Sequence, residues 1–128
     1  MRVSKTDLPT RIDVPGAVAR QQGDFGVPSE HGTMAAEYFS LGAGTDIAPL
    51  LKGLADDACQ APHWGYVIDG QLVVTYTDGT VDTCVTGDVF HWPAGHSVRV
   101  DEDAEVILFS PHLEHAAVMD HMRQQMGV

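Results

Sequence analysis

CQAPHWGYVIDGQLVVTYTDG (59–79), followed by TCVTGDVFHWPAGH (83–96), decides the fold of this chain. Runs of β-branched and aromatic residues are cut by Asp69-Gly70, Asp78-Gly79 and the Pro93-Ala94-Gly95 block. Short runs of this kind between turn residues read as antiparallel strands. Each Asp-Gly pair predicts a type I′ turn, with positive φ at both central residues, and so a three-stranded meander over 63–85. Strand alternation puts His63, Gly65 and Val67 on one face and Trp64, Tyr66 and Ile68 on the other.

Outward from this stretch the pattern repeats. MAAEYFSLGAG (34–44) is a strand in which Ala35, Glu37, Phe39 and Leu41 share a face. HSVRV (96–100) and AEVILFSP (104–111) bring the count to at least seven strands at spacings near ten residues. That spacing predicts an all-β fold, a closed barrel or jelly roll. The segment 45–58 reads as an extended piece, a turn and a connection. Residues 1–33 are an arm broken by Pro9, Pro15, Gly16, Gly23 and Pro28, with short strands at Thr10–Val14 and Ala17–Gln21. Such an arm lies along a sheet edge or crosses to a partner subunit. Ser110-Pro111 predicts an N-cap and an N1 proline for a C-terminal helix over 112–128, with Val118, Met122 and Met126 on one face. One domain results: arm 1–33, barrel 34–111, helix 112–128.

A chain of 128 residues buries a core without staples. Its formal charge of -11 speaks against nucleic acid and against an anionic membrane surface as partners. Two cysteines make no disulfide framework, so reduced thiols and a cytoplasmic setting are expected. The start, MRVSKTDLPTRIDV, has no apolar segment of a signal peptide, and no run reaches the ~18 apolar residues that span a bilayer.

At GDVFHWPAG (87–95) the chain resembles the cupins, single-domain RmlC-like jelly-roll barrels; the likeness runs from about residue 34 to 111. Gly87, Asp88, Pro93 and Gly95 fall on the second family motif, and Tyr66, Val67, Ile68 and Gly70 on the end of the first. The resemblance implies the fold and an interior site. It does not carry over the family's metal ligands: the Glu position holds His63, the paired His positions hold Asp57 and Cys59, and the last His position holds Val98. A Cys before an HxGYV strand, with a PxGH turn after it, also resembles a group of bacterial single-domain cupins of unassigned function. Cys59, His63, Gly65, Tyr66, Val67, Pro93, Gly95 and His96 carry that pattern.

The family's inward position at 98 shares parity with His96, so His63 and His96 are expected to converge in the barrel, with Cys59 near the rim. Imidazoles with a thiolate suit a divalent transition metal, Zn, Ni or Fe. Asp57 or Glu37 adds an oxygen. His91, Tyr66, Trp64 and Lys52 are the further pocket candidates; Cys84 reads as structural. His112, His115 and His121 read as a solvated helix surface, which leaves His31, His63, His91 and His96 for the barrel. The apolar character of both faces of HWGYVID predicts a covering sheet, most simply that of a homodimer. Two functions stay open: a metal-dependent enzyme acting on a small molecule, or a metal-free module that binds one.

Overall fold

The structure, a computed structural model, describes residues 1–26 and 32–128. His31 lies outside the described residues. Among them, nine strands precede one helix: β1 (Thr10–Val14), β2 (Ala17–Gln22), β3 (Met34–Leu41), β4 (His63–Asp69), β5 (Gln71–Tyr76), β6 (Val81–Val85), β7 (Val89–Trp92), β8 (His96–Arg99), β9 (Ala104–Pro111) and α1 (His112–Met126). A six-stranded sheet runs β1-β2-β3-β9-β4-β7 and a three-stranded sheet runs β6-β5-β8. Every pairing is antiparallel. This is the jelly-roll arrangement that the strand spacing predicts.

The two sheets share one core. Leu41, Val67, Val74, Trp92, Val98 and Leu108, from six different strands, are all buried in it. Each such side chain contributes about 1.5–3 kcal/mol on removal from water. Strand period sets the inner rows. In β9, Ala104, Val106, Leu108 and Ser110 are buried, and the residues between them are not.

The meander over 63–85 is not formed. β4 lies in the large sheet and β5 and β6 in the small one, so Asp69-Gly70 is a corner between sheets. A register shift between Val67 and Asp69 bends β4 away from its partner β9 before the corner. Neither Asp69 nor Asp78 takes positive φ; only the glycines do, at 91° and 86°. Neither turn is therefore type I′. At the second, the Gly79 N–H donates to the Tyr76 carbonyl at 2.9 Å, and the Asp78 carboxylate accepts from the Thr80 N–H at 2.9 Å. A turn followed by one left-handed glycine is the bulged hairpin form.

Two further expectations change. Ser110 is no cap: it ends the inner row of β9, and α1 starts after Pro111 with no side-chain cap. The 45–58 segment holds two tight helical turns, Ala48–Leu51 and Ala55–Asp57. Leu51, from the first, packs with Cys59, Ala61 and Val118, which seats α1 over one end of the barrel. On the outer face of the large sheet, Leu8 covers Ala36 and Tyr38.

The two Asp-Gly glycines make different demands. A Cβ on Gly70 would sit 2.3 Å from the Asp103 carbonyl oxygen, whereas one on Gly79 would meet nothing within 4 Å. Gly79→Ala is expected to cost about 1–2 kcal/mol, the left-handed penalty alone. Gly70→Ala adds an overpacking cost of about 1–3 kcal/mol. Urea denaturation of both variants checks this, and equal losses would contradict the close approach at the corner.

Candidate functional site

Cys59 and His96 are held side by side by their backbones. The Cys59 N–H donates to the His96 carbonyl at 2.8 Å, and the His96 N–H returns a bond to the Cys59 carbonyl at 3.2 Å. Gly95, at φ 89°, closes the turn by donating to the same Cys59 carbonyl at 2.7 Å. The His96 ring lies on Pro93, its Nδ1–H donating to that carbonyl at 2.7 Å. A carbonyl only accepts, so the neutral ring keeps its lone pair on Nε2.

His63 opens β4 on the inner row. Its Nδ1 lies 2.6 Å from Ser110 Oγ, and the Ser110 hydroxyl also bonds the Glu37 carboxylate. A hydroxyl has one hydrogen, and a carboxylate can only accept it. Ser110 therefore donates to Glu37 and accepts from His63 Nδ1–H. The free lone pair of His63 sits on Nε2, 3.6 Å from Cys59 Sγ. The Cys59 thiol also lies 3.6 Å from the Ala61 carbonyl.

Glu37 is fully buried. Its carboxylate accepts from Ser110, from His115 Nδ1 and from Gln21 Nε2, the last at 2.7 Å. Gln21 is held in turn by Arg11, which reaches the surface and pairs with Asp120 at 2.6 Å. His115 lies against His63 with ring centroids 4.3 Å apart, and His96 lies 5.0 Å from His63 on the other side. Two donor groups result, Cys59–His63–His96 and Glu37–His63–His115, each with its ligand atoms within 4.8 Å of one another.

Burial favours the neutral forms of Cys59, His63 and His96. It pushes the Cys59 thiol up to about 12, with the Glu37 charge adding to the rise. His63 is held well below the ordinary imidazole range, first by burial and then by His115 and His96. His96 is lowered to about 4, again chiefly by burial, against the opposing pull of the Pro93 hydrogen bond.

The structure brings Cys59, His63, His96 and Glu37 together and leaves the other candidates outside. His91 is exposed and stacks on Trp64 at 4.8 Å. On β7 the inward residues are Phe90 and Trp92, so His91 shares the outer face with Val89, which is 83% exposed. Trp64 and Tyr66 alternate with His63 and Val67 and so point outward, 44% and 46% exposed. Lys52 is exposed, and its carbonyl accepts from His121 Nε2 at 2.8 Å. Asp57 is exposed and accepts from the Gly53 N–H at 2.9 Å. His115 corrects the reading in the opposite direction: it is 3% exposed and belongs to the site, not to a solvated surface. It shares the apolar face of α1 with Val118, Met119 and Met122, an i, i+3, i+4, i+7 series that the sequence already contains. Ser110 was readable from the inner parity of β9. Gln21 and Arg11 carry no signal of their own.

Beside the two histidines of the strands lies a cavity of about 80 Å³. Phe39, Leu41, Leu72 and Leu108 line it from the sheets, and Met119 and Met122 from α1.

No protein-family model and no curated protein matches the chain. Solved structures do. An RmlC-like cupin from Shewanella frigidimarina aligns with a TM-score of 0.58 at 18% identity, over 89% of this chain and 93% of that one. Its fold is that of the cupins. The polyketide cyclase RemF from Streptomyces resistomycificus gives a TM-score of 0.60 at 16% identity, over 87% of this chain and 78% of that one. A variant of Bacillus subtilis oxalate decarboxylase OxdC gives 0.60 at 22%, over 86% of this chain and 29% of that one. On this cupin barrel the polar cluster faces inward from β3, β4, β8 and β9, and α1 supplies its third imidazole.

Neutral buried imidazoles make stability depend on pH. Unfolded histidine titrates near 6.5, whereas His96 in the folded protein titrates near 4. Between these values the unfolded chain binds more protons, so stability falls as pH falls through this window. For the metal-free protein the loss from His96 is on the order of 3 kcal/mol by pH 4, and the depressed His63 adds to it. Denaturant unfolding at pH 7, 5.5 and 4 checks this; His96→Gln should flatten the slope, and a pH-independent wild type would contradict the burial argument.

Proposed function

We propose that this cupin binds a divalent transition metal, zinc first, through Cys59, His63 and His96, and receives a small molecule in the adjoining cavity. One observation carries the reading. Zinc–sulfur and zinc–nitrogen bonds of about 2.3 and 2.0–2.1 Å at a tetrahedral angle put the two ligand atoms about 3.6 Å apart. Cys59 Sγ and His63 Nε2 lie 3.6 Å apart. The donor chemistry agrees: both strand imidazoles have Nδ1 tied and Nε2 free, the usual outer-shell arrangement around a metal-binding histidine.

Three protein ligands leave one position open, as in catalytic zinc sites. A metal bound there acts as a Lewis acid toward a ligand or water. The chain's own part is to orient and to exclude water. Pro93 fixes His96, Ser110 and Glu37 fix His63, and α1 closes the barrel end. Enzyme names among the fold neighbours, a polyketide cyclase and an oxalate decarboxylase, support catalysis as the use of such a site. The second reading is a metal-free binding module. It is favoured by the Cys59 thiol, neutral at physiological pH and close enough to the Ala61 carbonyl to donate to it. Two buried free thiols fit a reducing, cytoplasmic setting. Among the described residues, no helix is long and apolar enough to cross a membrane.

Metal uptake separates the two readings. Purified protein titrated with Zn²⁺ should bind one equivalent, and cobalt substitution should give a thiolate charge-transfer band. His63→Ala, His96→Ala and Cys59→Ser should each weaken binding by at least tenfold, while Ser110→Ala, which touches only the outer shell, should weaken it about 10–100-fold. Stoichiometric zinc binding in a Cys59→Ser/His63→Ala double variant would remove the metal reading.

A homodimer belongs to the same proposal. Trp64, Tyr66, Val89 and Phe109 are 40–83% exposed on the outer face of β4, β7 and β9. In the register Trp64 pairs with Phe109 and Tyr66 with Val89, which makes one continuous apolar patch beside the part covered by Leu8. A second copy of the chain placing its own patch there would bury both. Sedimentation equilibrium should give twice 13.8 kDa. Trp64→Asp should shift it to the monomer with the zinc site intact; a wild-type monomer at high concentration would end this part.

A further inference from the structure

The cavity limits the chemistry of its occupant. Among the described residues, its wall holds no Lys, Arg, Asp or Glu. Among the described residues, polar side chains line it from Cys59, His63, His96, His115, Thr45 and Trp92; the Thr45 hydroxyl is already bonded to the Gly42 carbonyl at 2.7 Å and the Trp92 N–H to the Cys84 sulfur at 3.5 Å. The carboxylate next to this wall, Glu37, is fully buried and bonded to His115, which lines it, and to Ser110, which holds the lining His63. Arg11, the cation tied to this network, is turned away toward Gln21 and Asp120. An anion entering here would lose its hydration, find no Lys or Arg among the described wall residues and approach the Glu37 carboxylate. An uncharged apolar body meets none of these costs.

We infer that the barrel's ligand is a neutral, largely apolar molecule with a ring or branched hydrocarbon body, held in the cavity between the strand histidines and the methionine face of α1. Met119, Met122 and Met126, three of the chain's five methionines, supply that face. Unbranched thioether side chains adapt to irregular shapes, which suits a lid that must accept a guest. The cavity, at about 80 Å³, is smaller than the ~150 Å³ apolar cavities that take up benzene. A ring of that size therefore enters by moving methionine side chains, while the sheet wall stays fixed. The inference rests on reading the barrel as a small-molecule pocket, and it concerns the metal-free cavity.

Benzene and benzoate test it, having the same ring with and without a charge. Each is titrated into the metal-free and the zinc-treated full chain, with zinc content measured separately. The readouts are the unfolding midpoint and the NMR shifts of the methionine methyl groups. In the metal-free protein benzene should give saturable shifts at Met119, Met122 and Met126 and raise the midpoint, with benzoate at least tenfold weaker. Leu108→Phe, which fills the cavity from the sheet, should weaken benzene binding at least tenfold. Because Leu108 is fully buried, Met122→Ala on the partly buried helix face is the second variant; it should improve naphthalene binding at least fivefold. Selective benzene binding without zinc uptake would support the inference and remove the metal reading. Zinc uptake with benzoate binding as tightly as benzene in the metal-free form, or with no saturable benzene binding in either form, would overturn the inference and leave the metal reading standing.

Discussion

Glu37 is a carboxylate with no exposure to water, and the barrel is organised around meeting its needs. A buried carboxylate costs several kcal/mol unless donors surround it. The three donors here come from three parts of the chain: Gln21 from β2, Ser110 from β9 and His115 from α1. The N-terminal strands, the barrel and the terminal helix are thus tied to one group. Their register follows from it as well. Glu37 pairs across the sheet with Gln21 on one side and Leu108 on the other, so a one-residue slip of any of these strands would turn a partner to the wrong face.

The same network fixes the active geometry at one remove. Because Ser110 must give its only hydrogen to Glu37, His63 must donate from Nδ1, and its lone pair must face Cys59. A single hydroxyl between carboxylate and imidazole converts a structural requirement into a tautomer. On the small sheet a different device has the same result. Pro93 offers His96 a carbonyl, and the paired backbones of Cys59 and His96 bring thiol and ring together. Both devices place an unprotonated nitrogen toward Cys59.

Strand parity made most of this legible in the sequence. His63, Glu37 and His96 each stand on an inner row that period two assigns without any structure, and the jelly roll follows from turn spacing. What parity lacks is long-range pairing. Asp69-Gly70 and Asp78-Gly79 are the same dipeptide, yet one is a sheet-to-sheet corner against the Asp103 carbonyl and the other a bulged hairpin. Only the strand partners decide between them. His91 failed as a pocket candidate because it shares its row of β7 with Val89, and that row faces out. His115 failed for a different reason. Grouped with the other tail histidines it reads as solvated surface, whereas the face it shares with Val118, Met119 and Met122 turns it inward.

The division of polarity around the site is the last consequence of the buried carboxylate. Its hydrogen bonds run to His115 at the wall of the cavity and to Ser110 and Gln21, and Arg11, bonded to Gln21, ends on Asp120. The interior therefore has a negative end behind the imidazoles and an apolar end under the methionines. A positive centre is favoured at the first and a hydrocarbon at the second. The Arg11–Asp120 pair also ties β1 to α1 across this division. The pair is too exposed to stabilise the fold by much. Its effect is positional: it holds the guanidinium on Gln21 and Asp120, one side chain removed from Glu37.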